Sequence, residues 1–167
     1  IRRLGEKFEN GEVFLPELIM GGVAMQDAMK ILESKIPQGK ERKILGRVLL
    51  GTVRGDIHDI GKNIVASLLK ANGFEVHDVG VDVPTEVFVQ KVRELEPDVV
   101  GLSALLTTTL PAQKEVVAAL EQAGLRKRVK VIVGGAAASR DWCVEAGADG
   151  YAGDAVGATK LAKEVLG

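Results

Sequence analysis

The chain has 167 residues, of which 46% are hydrophobic, and its formal net charge at pH 7 is −1. This composition is typical of one folded domain with a small appendage and excludes a disordered chain. Aromatic residues make up only 4% of the sequence and the charges are balanced, which argues against a nucleic-acid partner. No apolar run approaches the roughly 20 residues of a membrane span and no segment resembles a signal peptide. We therefore expect no membrane association and a cytoplasmic location.

Residues 1–37 are predicted to form part of a helical cap, followed by a polar linker at 38–42. A short helical segment ends near Asn10, and apolar residues then recur at helical spacing from Leu18 to Ile36. Two helices cannot bury a core of their own. We therefore expect them to pack on the following domain or to belong to a helical bundle whose beginning lies before Ile1.

From residue 43 onward, short aliphatic runs alternate with amphipathic segments. Strands are predicted at 44–53, 74–79, 99–103, 129–133 and 150–152, and helices at 61–71, 85–94, 111–123, 140–146 and 155–166. The strands are too continuously apolar for a sheet with one face in solvent. The pattern therefore predicts an α/β domain over 43–167, built on a five-stranded, doubly wound parallel sheet of the Rossmann-like or flavodoxin-like kind, with strand order 2-1-3-4-5.

Unusual residues collect where the predicted strands end. The first strand is followed by GDIHDIGKN, the third ends in GLSALLTTT, the fourth in VGGAAA and the fifth in YAGDA. In a sheet of this topology, ligands bind beyond the carboxyl ends of the strands. These loops are therefore expected to form one site that contains a histidine, hydroxyl groups and small residues.

The segment GDIHDIGKN does not fit a phosphate-binding loop. Gly55 and Gly61 have five residues between them and are followed by Lys-Asn, whereas the P-loop pattern has a shorter spacing and ends in Lys-Ser or Lys-Thr. A phosphoreceiver domain has the same sheet order, but Ser103 and Gly153 stand where it needs an aspartate and a lysine. Both interpretations are weak.

A metal site is a third interpretation of this segment. The carboxylate of Asp56 can accept the Nδ1–H of His58 and leave Nε2 free to bind a metal. One histidine is too few for a structural zinc site, and His77 lies in the second predicted strand, away from this edge. A single protein ligand indicates a metal that brings its other ligands with it. The alternative for His58 is a solvated histidine in a helix-capping turn, with Asp59 at the helix N-terminus.

The same segments resemble the signature of a known family. Three motifs match, in order, those of base-off, His-on cobalamin-binding domains: Asp-x-His-x-x-Gly at 56–61, Ser-x-Leu at 103–105 and Gly-Gly at 134–135. The string GTVRGDIHDIGKNIV is similar to that of methyl-transferring corrinoid proteins and of the cobalamin module of methionine synthase. The segments FENGEVFLPELI and AMQDAMKIL resemble the end of the helical cap in those proteins, so the resemblance covers nearly the whole chain.

This resemblance implies a role for individual residues. His58 would be the lower axial ligand of cobalt, Asp56 would hold the far nitrogen of its ring and Thr109 would complete the relay, so these three would be the catalytic residues. The displaced nucleotide tail would thread into the sheet domain, where glycines allow a ligand to approach the backbone closely. The cofactor-binding residues would be Gly55, Asp56, Ile57, His58, Asp59, Ile60, Gly61, Ser103, Leu105, Thr107, Gly134, Gly135 and Ala155, together with Phe8 and Leu15 of the cap, which would shield the methyl group from water.

The function implied by the resemblance is that of a corrinoid methyl carrier. It would bind cobalamin or a related cobamide, as cob(I)alamin and methylcob(III)alamin. It would carry a methyl group from a substrate-specific methyltransferase to an acceptor methyltransferase of the tetrahydrofolate or thiol type, and a reductive activator is a further expected partner. No second catalytic apparatus is visible in the sequence, so the chain would be one subunit of a multi-component system.

Two other functions share part of this signature. One is the cobalamin-binding subunit of an adenosylcobalamin mutase, and the cap argues against it because a mutase module needs no methyl shield. The other is a cobalamin-dependent sensor that regulates transcription. The neutral charge and the lack of a basic segment argue against the sensor.

Overall fold

The computed structural model describes residues 44–167 without a break and, before them, residues 4, 7–8, 10–14, 16–17, 19–21 and 23–24. Within the earlier group, residues 7–8, 16–17, 19–21 and 23–24 are helical, and the role of this segment as a cap stays a prediction. The predicted boundaries around the linker at 38–42 lie outside the described residues, as does Leu15. They therefore stay predictions.

Residues 44–167 alternate between strands and helices, and every predicted strand and helix of this region is confirmed, with small differences at the ends. The strands are β1 (Arg47–Thr52), β2 (Glu75–Asp78), β3 (Val99–Ser103), β4 (Lys130–Gly134) and β5 (Gly150–Ala152). The helices of this region are α1 (Ile60–Ala71), α2 (Thr85–Leu95), α3 (Leu110–Gln122), α4 (Arg140–Ala146) and α5 (Ala155–Glu164), and a short 3-10 helix at Arg126–Arg128 precedes β4.

The first strand is shorter than predicted. It begins at Arg47, where its pairing with β2 starts, rather than at residue 44, and Ile44 and Leu45 lie on the surface with 42% and 53% of their area exposed. Two apolar residues just before a strand look the same in the sequence whether they are exposed or buried. The sequence alone therefore does not show where this strand begins.

The five strands form one parallel sheet in the order β2-β1-β3-β4-β5, which confirms the predicted doubly wound topology. The register aligns Thr52, Ser103, Gly134 and Ala152 side by side at the carboxyl edge of the sheet. The loops that follow β1, β3, β4 and β5 therefore meet at that edge, which is where a doubly wound sheet binds its ligands.

The two faces of the sheet are packed differently. The face beneath α2, α3 and α4 has a large core that contains Leu49, Phe88, Val100 and Leu120. The face beneath α1 and α5 has a smaller cluster, made of Val48, Leu69, Phe74, Val99, Ile132, Ala152 and Ala162. No helix in the described part of the chain has the length and apolarity that a membrane crossing requires.

Candidate functional site

The loop between β1 and α1 places Asp56 and His58 at the carboxyl edge of the sheet. Asp56 is fully buried, whereas 47% of the His58 side chain is exposed. Asp56 Oδ1 lies 2.7 Å from His58 Nδ1 and accepts the backbone N–H of His58 at 3.1 Å. Thr52, the last residue of β1, donates its hydroxyl to the His58 carbonyl at 2.9 Å. The ring is thus held through Nδ1, and within the described residues no group bonds to Nε2, which can therefore bind a metal.

The second oxygen of Asp56 is held by the loop that follows β3. Asp56 Oδ2 accepts the backbone N–H of Leu105 at 2.7 Å and the hydroxyl of Thr109 at 2.8 Å, and the N–H of Leu106 lies farther away at 3.4 Å. One buried carboxylate therefore joins the loops after β1 and β3. It also brings together His58, Asp56 and Thr109, the residues to which the resemblance assigns the relay.

The environment of Asp56 keeps its carboxyl group ionised. Burial alone would raise its pKa, but the hydrogen bonds from His58, Thr109 and Leu105 outweigh that effect and hold the pKa of Asp56 well below its usual range. An ionised carboxylate can only accept hydrogen bonds. It therefore favours a proton on Nδ1 of His58 and leaves the lone pair of Nε2 directed away from Asp56.

A cavity of about 680 Å³ opens beside His58 and extends between the sheet and helices α1 and α5. At the carboxyl edge of the sheet it is lined by Ser103 and Gly134, the last residues of β3 and β4, and by the loops that follow them. Its inner part is aliphatic and is lined by Val48, Val65, Leu69, Val99, Ile132, Ala158 and Ala162. The cavity therefore suits an extended organic group whose inner end is apolar.

Most of the predicted cofactor-binding residues line this cavity. They are Phe8, Ile57, His58, Asp59, Ile60, Gly61, Ser103, Leu105, Gly134, Gly135 and Ala155. Three of the predicted residues do not line it. Asp56 lies buried behind the His58 ring, Gly55 donates its N–H to Asp82, and Thr107 is exposed in the turn after β3.

The structure gives a reason for glycine at positions 134 and 135 that the sequence does not reveal. Gly135 has a φ of +111°, and a Cβ at this position would lie 2.0 Å from the carbonyl oxygen of Ala104. A Cβ on Gly134 would lie 3.1 Å from the carbonyl oxygen of Ala152. A side chain at Gly135 is therefore excluded by the neighbouring backbone, and one at Gly134 would force that backbone to shift slightly, apart from any approach by a ligand.

Gln113 of α3 fixes the same loops and is missed by the sequence analysis. Its side chain is fully buried, and Nε2 donates to the carbonyls of Leu102 and Gly134 at 2.9 and 3.0 Å. Its Oε1 accepts the indole N–H of Trp142 at 2.8 Å. A signal was available, since Gln113 shares the buried stripe of α3 with Val116 and other apolar residues. A polar residue on such a stripe indicates a specific hydrogen-bonding role.

Lys62 also lines the cavity and is also missed as a site residue. Only 2% of its side chain is exposed, and Nζ forms an ion pair with Asp78 at the end of β2 and a hydrogen bond of 3.2 Å with Asn63 Oδ1. This pair ties the first turn of α1 to the sheet edge, close to the His58 loop.

The donor set at this edge fits a metal that arrives inside a larger group. Within the described residues, no three side chains of the metal-binding types come together to hold an ion. His58 can supply one nitrogen ligand beside an apolar cavity, so any metal bound there must bring its remaining ligands. A corrinoid, in which a ring holds the metal and carries an organic tail, has the chemistry that this arrangement requires.

Comparison with known proteins agrees with this chemistry. A family model described as "B12 binding domain" matches residues 46–160, and a second model with the same description matches residues 1–33. Dimethylamine corrinoid protein 2 of Methanosarcina acetivorans is 48% identical over 166 residues, which cover 99% of this chain and 77% of that protein.

Solved structures lead to the same family. A cobalamin-binding protein from Desulfitobacterium hafniense DCB-2 is 40% identical with a TM-score of 0.81, over 99% of this chain and 78% of that one. The methanol:cobalamin methyltransferase complex MtaBC from Methanosarcina barkeri is similar with a TM-score of 0.88 and 34% identity, over 96% of this chain and 61% of the matched chain. The chain therefore belongs to the B12-binding domain family and, within it, to the methyl-transferring corrinoid proteins, whose cofactor is cobalamin or a related cobamide.

Proposed function

We propose that this chain carries a methyl group on a cobamide whose own base is displaced and whose cobalt takes His58 as its lower ligand. The observation that supports this most directly is that, among the residues that the structure describes, none bonds to Nε2 of His58, which lies beside a cavity of about 680 Å³. The bound cobalt supplies a centre that accepts and donates methyl groups, while the protein binds and orients it.

In this proposal, Asp56 sets the properties of the histidine ligand. Its ionised carboxylate accepts the Nδ1–H, which orients the ring and makes Nε2 a better electron donor. Thr109 and Leu105 hold the second oxygen of the carboxylate, so the ring would keep its orientation toward a bound metal.

The cavity would hold the displaced nucleotide tail. Gly101, in the middle of β3, lines it together with Leu50, and a Cβ on Gly101 would lie 2.6 Å from Cδ1 of Leu50, so a side chain there would displace Leu50. The polar mouth near Ser103 suits the sugar and phosphate parts of such a tail. The aliphatic inner end suits its base, because burying an apolar ring there leaves no protein polar group unpaired.

Residues 1–37 would form a cap over the corrinoid, with 38–42 as a linker and 43–167 as the binding domain. Phe8 lines the cavity, and the second family model covers residues 1–33. A cap placed there would exclude water from the methyl group, and a linker would let the cap move aside when a partner enzyme docks.

The proposed partners are methyltransferases. The MtaBC structure is a methyltransferase complex, and similarity to a dimethylamine corrinoid protein favours a methylated amine as the methyl donor. We propose a donor-specific methyltransferase, an acceptor methyltransferase of the tetrahydrofolate or thiol type, and a reductive activator that restores oxidised cobalt.

Replacement of His58 tests the proposal. In the reconstituted cob(II) protein, electron paramagnetic resonance should show coupling to one imidazole nitrogen, and His58→Ala should remove that coupling. Binding should persist because the cavity is unchanged. His77→Ala is the matched control, since His77 lies in β2 and pairs with Glu75. Nitrogen coupling that survives in His58→Ala, with unchanged rates of methyl transfer, would refute the assignment.

A further inference from the structure

The turn between β2 and α2 holds the His58 loop from the side opposite β3. Val83 in this turn forms a parallel bridge with Val53, and its N–H donates to the carbonyl of Thr52 at 3.0 Å. Asp82, the preceding residue, has a φ of +50°. This left-handed backbone is uncommon for residues other than glycine, and asparagine and aspartate tolerate it best.

Asp82 bonds to the backbone on both sides of the Gly55–Asp56 step. Its Oδ1 accepts the N–H of Gly55 at 2.7 Å, and its own N–H donates to the carbonyl of Asp56 at 2.8 Å. Gly55 has a φ of +82°, so the segment contains a residue with unusual backbone freedom. The two bonds restrict that freedom directly beside the carboxylate that orients His58.

We propose that Asp82 is a positioning residue for the histidine ligand. It fixes the backbone of Asp56, and Asp56 in turn fixes Nδ1 of His58. Without these bonds the loop samples more conformations, and a smaller fraction of the protein holds Nε2 where it can reach the metal. This inference rests on the proposed ligation by His58. Asp82 itself is exposed, so it can be replaced without opening the core.

Three substitutions separate the side-chain bond from the backbone conformation. Asp82→Asn keeps an acceptor oxygen and tolerates the left-handed backbone, Asp82→Gly keeps only the backbone freedom, and Asp82→Ala loses both. The measurement is the ratio of nitrogen-coupled to uncoupled cobalt in the electron paramagnetic resonance spectrum of the cob(II) protein. We expect Asp82→Asn to resemble the wild type and Asp82→Gly to lower the ratio about three- to tenfold, the effect of losing one ordinary hydrogen bond at an exposed position.

Asp98→Ala is the matched control. Asp98 is also exposed and accepts a backbone N–H, that of Arg47 at 2.7 Å, but it does so at the amino end of β1. Asp98→Ala should leave the ratio of nitrogen-coupled to uncoupled cobalt unchanged, although it should lower the stability of the protein about as much as Asp82→Ala does. An unchanged ratio in Asp82→Gly, or an equal loss in Asp98→Ala, overturns the role of Asp82. Absence of nitrogen coupling in the wild type instead overturns the ligation by His58. If Asp82→Ala does not fold, the comparison of the asparagine and glycine variants decides.

Discussion

Replacement of Asp56 by asparagine tests the hydrogen-bond network behind His58 in the protein without its cofactor. The carboxylate is fully buried and accepts four hydrogen bonds of 2.7 to 3.1 Å, two on each oxygen. Whichever way the amide is turned, its NH₂ group faces a backbone N–H, that of His58 or of Leu105, which then has no acceptor. One buried unpaired donor, together with weaker bonds to a neutral acceptor, should lower the free energy of unfolding by about 2–4 kcal/mol.

Urea unfolding followed by circular dichroism measures the free energy of unfolding, and the pH dependence of that free energy provides a second test. The pKa of Asp56 is lower in the folded protein than its ordinary value of 3.8. The stabilisation from its ionised form is therefore present above that value and is lost as the pH falls further. The stability difference between the wild type and Asp56→Asn should thus shrink between about pH 5 and pH 3. A difference below about 1 kcal/mol at neutral pH, or one that stays constant over the acid range, would refute this reasoning.

Three further substitutions, one of them with a matched control, test other parts of the site. Gly135→Ala should cost more than about 3 kcal/mol or prevent folding, because its Cβ would lie 2.0 Å from Ala104 O at a φ of +111°. Gly61→Ala, whose Cβ would meet nothing within 4 Å, lies in the first turn of α1 and should be as stable in urea as the wild type or slightly more stable; a loss of stability equal to that of Gly135→Ala would contradict the close contact at Gly135. Ala162→Phe should fill the inner cavity and weaken cobamide binding at least about tenfold in an absorbance titration, and unchanged affinity would place the tail elsewhere. Gln113→Leu should lower the free energy of unfolding by about 1–3 kcal/mol, since an indole N–H loses its acceptor; the absence of a measurable loss would argue against that bond.

Hydrophobic patterning is sufficient to predict the strands and helices and most of their ends, and their alternation indicates the doubly wound sheet order that the structure confirms. β3 and β5 begin and end where predicted, because a polar or glycine residue marks the end of each apolar run. The pattern fails at Ile44 and Leu45, which are apolar but exposed. Burial depends on what packs against a residue, and local sequence does not contain that information.

The candidate site could be predicted from the sequence where residues able to bind a metal directly follow a predicted strand. Asp56 and His58 are two residues apart in one loop, so their pairing follows from local geometry. Thr109 is 53 residues from Asp56, and only the resemblance to a known family indicated the contact. The contacts of Asp82 could not be predicted from the sequence. They depend on its left-handed backbone and on the way the turn after β2 packs against the loop after β1.

The cavity beneath α1 and α5 bears on how long a loaded carrier keeps its cofactor. A group seated among Val48, Val99 and Ile132 can leave only when that aliphatic surface is exposed to water again, and such a barrier slows dissociation far more than association. In the proposed function, His58 could then exchange its bond to the metal in every reaction without loss of the whole group. The residence time of the cofactor would then depend on the interior cavity between sheet and helices, and the reactivity of the metal would depend on the exposed edge at His58. Substitutions in one of these regions could alter one property with little effect on the other.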